Sequence, residues 1–590
     1  MATRPSGTGL ERWLLLASVV ALVACPARAT ERTGAADRVD AERPLRSSDG
    51  TDVIRPSISC ASLEGTAISP TLIGLPTAGV RLISAALVPA AAPSRDPVTG
   101  AVIHSLPEYC KVLGEIDPVD SRAPAIRFQL NVPTDWNRGI IQVGGGGLNG
   151  SIPANLAVVR PSGSPVSAAM PPDVPYPLSR GYAMFGGDSG HQGTGGEWAL
   201  NDEAWLNFAH AGLKKTHDAA FTVVERLHGR RPRVSYFMGS SQGGREALEV
   251  AQRYPDDYDG VLATVPLIGY SAHVVAKTVY ATQQIGAGWI PPEAATLIAR
   301  EVVAQCDGLD GLADGVIGHY LACNDRFAAD KGATPYRAIH CPEEAATVAG
   351  HCLTDAQIST AIRMRSPTAF GFELANGIST VPPYGTGREH TGWLNIAPQP
   401  APGQRPNLGQ PGTTVQFGIL KDPAADLLDF SIAAHRERIR EASWLIDSTN
   451  PDLTRFFGRG GRLIVKSSTS DYSVNPQIMA RYYESVVATL GQERVDRHLR
   501  YYVLPNTGHA GDGASLTTNE PIPHRIDMIG MLTDWVERGL APADAPVLST
   551  MSVTPPYDVS ATRPMCRYPY HPHYQGGDSR RAESFRCTRS

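Results

Sequence analysis

Neither sign of charge dominates this sequence of 590 residues: 53 Lys and Arg stand against 58 Asp and Glu, a formal net charge of −5. A nucleic-acid binder normally carries a basic excess, so no nucleic-acid partner is expected. Charged residues are scarce at 19% and hydrophobic residues reach 42%. That balance excludes a disordered chain, a coiled coil and a collagen-like fibre. Zinc-ligand spacing is missing: there is no Cys-x-x-Cys pair and no Cys/His cluster. Long apolar runs are missing too. The one continuous run, residues 13–24, is about 18 Å long as a helix, short of the roughly 30 Å needed to span a bilayer.

That run follows Arg4 and Arg12 and has the length of a signal-peptide core. Ala27-Arg28-Ala29 reads as a cleavage site, giving a signal peptide over 1–29. Leu22-Val23-Ala24-Cys25 reads equally well as a lipoprotein box with Cys25 lipidated. The protein is therefore expected to be exported, either secreted or periplasmic, with an outer-membrane lipoprotein as the other exit. A lipid anchor at Cys25 is the only membrane contact foreseen. Residues 30–55 are polar and read as a mobile leader.

There are nine cysteines. Without Cys25, eight remain, an even number in an exported chain. Proximity suggests Cys306–Cys323, Cys341–Cys352 and Cys566–Cys587, leaving Cys60 with Cys110. Eight cysteines allow about a hundred pairings, so the sequence alone leaves the connectivity open.

Short apolar segments recur between glycine-rich turns and helical stretches, at 126–132, 140–143, 182–185, 234–238, 261–265, 463–465 and 501–504. Several are continuous rather than alternating, as in strands covered on both faces, which predicts an α/β layered fold. The sharpest motif follows residues 234–238: Gly239-Ser240-Ser241-Gln242-Gly243-Gly244, running into a helical stretch. Strand, G-x-S-x-G and helix together describe a nucleophile elbow, and the frame selects Ser241 over Ser240. The alternative is a phosphate-binding loop, which wants a lysine where Arg245 stands.

A serine needs a base to become a nucleophile at neutral pH. On such a fold the order is Ser, acid, His. His509 lies in a glycine-rich loop just past the segment 501–504, and Asp471 follows the segment 463–465; Asp447, which precedes that segment, is the rival acid. Oxyanion donors are expected from the Gln242 N–H and from the loop Gly144-Gly145-Gly146-Gly147, with Gly146 as the choice among the four.

These motifs make the sequence resemble the tannase/feruloyl esterase family of α/β-hydrolases over roughly residues 56–590. The resemblance rests on Tyr109 to Ile116, Trp136 through Gly147, Asp188 to His191, the elbow with Ala251 to Pro255, Cys306 to Ile317, Cys352-Leu353-Thr354, Asn475-Pro476-Gln477, and the tail from Arg563 to Cys566 and Phe585 to Cys587. It implies an α/β-hydrolase core with a mostly parallel sheet and a large inserted lid. It also implies a carboxylic ester hydrolase acting on a small aromatic ester of feruloyl, galloyl or terephthalate-monoester type, and the four disulfides that proximity suggests. A calcium ion is implied in the acidic loop, held by Asp307, Asp310 and Asp314 side chains with the Leu312 and Val316 carbonyls. One departure stands out. The family usually joins a cysteine before the nucleophile to one after the histidine, and here those positions are Ser240 and Ala510. The His509 loop is expected to be looser, with packing around Ala510 substituting in part.

The span from Ser241 to Asp471 far exceeds one helix-strand step. The expected organisation is core over 56–268, lid with the metal loop over 269–452, and core again over 453–590. Trp289, Phe370, Trp393, Phe417 and Trp444 are candidates to line a pocket under the lid, Arg405 is a candidate to face a carboxylate there, and His191 reads as structural. Two other readings remain: a hydrolase of other esters or amides on the same fold, and a non-catalytic binding lipoprotein.

Overall fold

Burial along the strands changes character through the chain, and that change lays out the fold. The computed structural model describes residues 53–157, 170–284, 286–342, 351–385 and 408–589. The signal segment, Cys25, most of the leader, Trp393 and Arg405 lie outside these residues. The described residues fall within one unit, Glu42–Ser590.

Ten strands make the main sheet: β1 (Ala67–Ile68), β2 (Gly79–Val88), β3 (Tyr109–Asp117), β4 (Ile126–Pro133), β5 (Gly139–Val143), β6 (Ala183–Gly187), β7 (Val234–Ser240), β8 (Gly260–Thr264), β9 (Arg462–Ser468) and β10 (Leu499–Leu504). Their spatial order is β1-β2-β3-β4-β6-β5-β7-β8-β9-β10. β1 to β4 pair antiparallel, and β4 pairs antiparallel with β6. From β6 onward every pairing is parallel. This is the expected α/β-hydrolase architecture.

The two halves of the sheet are read differently from sequence for a physical reason. In β7 every residue is buried, because Phe237 faces one core while Tyr236 and Met238 face another. Such strands are continuous apolar runs. β2 has one wetted face, leaving Ile83 and Leu87 exposed, so its pattern is interrupted and neither β2 nor β3 is legible as a strand.

Helix α1 (Gly212–His228) packs against β4 and β6. Helix α2 (Gln242–Arg253) is buried from Gln242 to Ala251 and ends at Tyr254, before Pro255 disfavours helical backbone. Between β8 and β9 the described residues add no strand to the main sheet. They contain α3 (Tyr270–Gln283), α4 (Pro292–Cys306) and a small two-stranded sheet of Thr368–Ala369 and Thr380–Val381. Val275, Ile298 and Val302 of this insertion share one hydrophobic cluster with Phe237 and Val465 of the main sheet. The insertion is therefore bound to the core by apolar burial.

All four disulfides are formed with the pairing that proximity suggests: Cys60–Cys110, Cys306–Cys323, Cys341–Cys352 and Cys566–Cys587. Among the described residues no helix is long and apolar enough to cross a membrane.

Candidate functional site

Ser241 occupies the turn between β7 and α2, with φ 62° and ψ −118°. Such backbone costs about 1–3 kcal/mol for a residue with a side chain. It is held by three hydrogen bonds: Ser241 N–H donates to the Thr264 carbonyl at 3.0 Å, and the Ser241 carbonyl accepts from Arg245 N–H at 3.0 Å and Leu267 N–H at 3.2 Å. The turn is tight enough to dictate glycine. A Cβ on Gly239 would lie 2.2 Å from the Gly243 carbonyl oxygen, and one on Gly243 would lie 2.6 Å from the Gly145 carbonyl oxygen.

That second approach brings the glycine loop after β5 against the elbow. Gly243 N–H donates to the Gly145 carbonyl at 3.1 Å. The Gly144 amide is taken by the Met238 carbonyl at 2.9 Å, and the Gly145 amide by Glu246 Oε2 at 2.9 Å. Gly146 N–H has no hydrogen bond to a described residue, and a Cβ there would meet nothing within 4 Å. Gly146 thus borders open space with its amide unspent.

Glu246 braces this loop and has no counterpart in the sequence reading. It is fully buried, with Oε1 accepting from Asn149 Nδ2 at 2.6 Å. Burial pushes its carboxyl up, against the opposing charge of Arg245. In sequence it is one glutamate of a polar helix, and only its burial marks it out. Arg245 is likewise buried. It donates to Gln242 Oε1 and to the Ala209, Phe208 and Ile446 carbonyls, so it clamps the start of α2 rather than facing a phosphate.

Ser240 is paired in register with Thr264, Thr264 with Lys466, and Ser468 with Leu504. The ends of β7 to β10 are therefore neighbours, and Ser241, Asp471 and His509 each follow the C-terminal end of one of these parallel strands. His509 Nδ1 lies 2.8 Å from Asp471 Oδ2. A carboxylate only accepts, so Nδ1 carries the proton and Nε2 is left as the acceptor. Asp471 Oδ1 accepts from Ser473 N–H at 2.8 Å and Val474 N–H at 2.9 Å. The Asp471 side chain is 1% exposed and that of His509 22%, so the acid is sealed while the imidazole is reachable. The rival Asp447 is spent elsewhere, on Ser271 and Ser443, and burial pushes its carboxyl up to about 6.

Helix α3 grips the acid loop from the insertion. Lys277 Nζ donates to the Tyr472 carbonyl at 2.9 Å and the Ser473 carbonyl at 3.1 Å, and His273 Nε2 lies 2.9 Å from the latter. Burial pushes Lys277 and, on β9, Lys466 down to about 8, with the Asp471 charge opposing in both. No sequence signal points to these lysines, because they act only through tertiary contact. His191 is buried and stacked on Trp198 at 3.7 Å; burial pushes it down to about 4, in keeping with a structural residue.

A family description, tannase and feruloyl esterase, matches residues 110–588. The chain belongs to the tannase and feruloyl esterase family. An uncharacterized esterase of Agrobacterium fabrum is 34% identical over 547 residues, covering 90% of this chain and 92% of the relative. The mono(2-hydroxyethyl) terephthalate hydrolase of Piscinibacter sakaiensis is 28% identical, covering 85% of this chain and 89% of the relative. Among solved structures, feruloyl esterase B of Aspergillus oryzae superposes with a TM-score of 0.70 at 20% identity, over 90% of this chain and 100% of that one. This member of the tannase and feruloyl esterase family is a carboxylic ester hydrolase.

In this esterase the expected packing around Ala510 does not occur. Ala510 is exposed, because its loop turns back on itself through Gly508 N–H to the Asp512 carbonyl at 2.8 Å. Ser240 is buried and its hydroxyl has no hydrogen-bond partner among the described residues. The pocket candidates also divide. Phe370 belongs to the buried core, whereas Trp444 is 62% exposed. Trp289 and Phe417 are half-buried, and Phe417 sits close against Gly196.

In the acidic loop each carboxylate faces backbone amides: Asp307 accepts from Gly315, Asp310 from Leu312 and Gly318, and Asp314 from Val316. Asp314 also pairs with Arg563 at 2.8 Å. Among the described residues no group of three or more His, Cys, Asp or Glu side chains is gathered closely enough to hold a metal ion. Burial pushes Asp310 up to about 7, with the Asp314 charge adding to the effect.

Proposed function

We propose that the protein is an exported serine esterase that cleaves aromatic-acid esters through an acyl-enzyme. Ser241 attacks the ester carbonyl and His509 Nε2 takes its proton. Asp471 holds the imidazole in the required tautomer and stabilises the imidazolium. The Gln242 and Gly146 amides receive the oxyanion. His509 then protonates the leaving alcohol and activates the water that releases the acid. The observation that carries this reading is the 2.8 Å pair of His509 and a sealed Asp471, in loops neighbouring a strained serine.

An aromatic acid as the acyl part is supported by the relatives named for feruloyl and terephthalate substrates. A parallel assay on methyl ferulate, methyl gallate and the mono-hydroxyethyl ester of terephthalic acid, with the matching anilides as amide controls, tests it. Hydrolysis of at least one ester with the anilides untouched is expected. Cleavage of the anilides at comparable rates contradicts the reading. Four disulfides support export, since such bonds persist in oxidising compartments.

The acidic loop is proposed to bind a structural calcium ion through Asp307, Asp310 and Asp314 and the Leu312 and Val316 carbonyls, which requires the three side chains to leave the backbone amides they now accept from and gather around the ion. The donor set is all oxygen, as calcium prefers, and a cation would relieve the cost of the buried Asp310 carboxylate. Elemental analysis of unchelated protein is expected to find about one calcium per chain, and chelation is expected to lower Tm. Absence of any divalent metal from such protein contradicts the proposal.

A further inference from the structure

The loop that carries His509 has no covalent tie beside it, yet one buried residue ties it to two other segments, to one through its backbone and to the other through its side chain. Asn506 is fully buried, three residues before His509. Its φ is 53°, left-handed backbone that asparagine tolerates better than most residues. Its amide N–H donates to Thr469 Oγ1 at 2.9 Å, in the segment that leads from β9 to Asp471. Its side chain reaches into the insertion, where Oδ1 accepts from Ile317 N–H at 3.1 Å and Nδ2 donates to the Gly315 carbonyl at 2.6 Å. Two further bonds follow the same seam: Leu516 N–H donates to the Gly315 carbonyl at 2.8 Å, and Ser515 Oγ donates to the Asp314 carbonyl at 2.8 Å. Ser470 N–H also donates to the Thr507 carbonyl at 3.1 Å.

Asn506 is thus the point where the loop bearing the base, the loop bearing the acid and the acidic loop of the insertion meet. Each of its polar groups named above faces a fixed partner, which is the arrangement that locks a loop.

We infer that Asn506 is a positioning residue for His509, fixing the imidazole against Asp471 and toward Ser241 by docking its loop on Gly315 and Ile317. The inference rests on the proposed roles of Ser241, Asp471 and His509. It contributes nothing to substrate binding, so its loss should appear in kcat and leave KM nearly unchanged.

The test uses the full-length protein and two variants, Asn506→Ala and Asn506→Gly. The glycine variant removes the side-chain bonds while keeping the positive φ free of strain, so it separates the amide from the backbone. Rates are expressed per active site, counted by end-point titration with a fluorophosphonate, so that unfolded protein does not contribute. Both variants are expected to lose about 10- to 100-fold in kcat, the scale of a displacement near 1 Å at a reacting group, with KM within about twofold of the parent. Hydrogen exchange of the peptide containing residues 505–515 is expected to accelerate. A kcat per titrated site equal to the parent's in Asn506→Gly, whatever happens to Tm, overturns the inference and leaves Asn506 a stability residue. Failure of the underlying reading is seen separately, as full activity in Ser241→Ala.

Discussion

Ser241→Ala is expected to lower kcat on a susceptible aromatic ester by about 10³- to 10⁶-fold, with KM changed little and the fold intact. The size of the effect follows from what remains. Without the hydroxyl no acyl-enzyme forms, and the residual rate comes from water held beside the oxyanion donors. The Gly144 and Gly145 amides are held by Met238 and Glu246, so the loop should keep its shape in the variant. Its Tm is expected to stay close to the parent's, since the backbone bonds of residue 241 to Thr264, Arg245 and Leu267 do not depend on the hydroxyl. Steady-state kinetics and a melting curve on the same sample check both parts.

The second large effect is expected from Asp471→Asn, at about 10³- to 10⁴-fold in kcat. The geometry makes this substitution severe despite its size match. One carboxylate oxygen accepts two amides, from Ser473 and Val474, and the other accepts the imidazole proton. An asparagine cannot serve both sides. If its oxygen stays on the backbone amides, its NH₂ faces His509 Nδ1 and drives the ring proton to Nε2, where the base is lost. If it turns, its NH₂ opposes two N–H donors. A rate within about threefold of the parent would remove Asp471 from the mechanism. Asp447 is not placed to replace it, being committed to Ser271 and Ser443.

How much of this was legible in the sequence depended on whether the cause was local. The elbow could be read because a strand, a turn that excludes side chains and a helix follow one another within a few residues. Gly239 and Gly243 show the reason, each meeting backbone where a Cβ would stand. The parallel strands could be read because burial on both faces makes them uniformly apolar. β2 could not, since its wetted face breaks the run, and in β3 Lys111, Glu115 and Asp117 interrupt it. Three disulfides join cysteines 17, 11 and 21 residues apart, which is why proximity suggests them, whereas Cys60 and Cys110, 50 residues apart, are only the pair left over. Glu246, Lys277 and Asn506 left no trace, because each is a polar residue whose meaning comes from a partner far along the chain. The replacement for packing at Ala510 failed to be foreseen for the same reason. The loop is held three to four residues upstream, by hydrogen bonds across to the insertion.

The acidic loop illustrates how position can enlarge a role. In sequence it reads as the cradle of a structural calcium ion, with nothing to place it at the scissile bond. Its Asp314 and Gly315 carbonyls are acceptors for Ser515, Leu516 and Asn506, which places it one contact from the loop that carries His509.

The measurement that bears most directly on the account is peptide mapping of the protein after reaction with a fluorophosphonate. A single adduct on Ser241 is predicted, formed at a rate that falls by orders of magnitude in His509→Ala. Ester hydrolysis that persists with Ser241 unmodified, or an adduct formed equally fast without the imidazole, would contradict it.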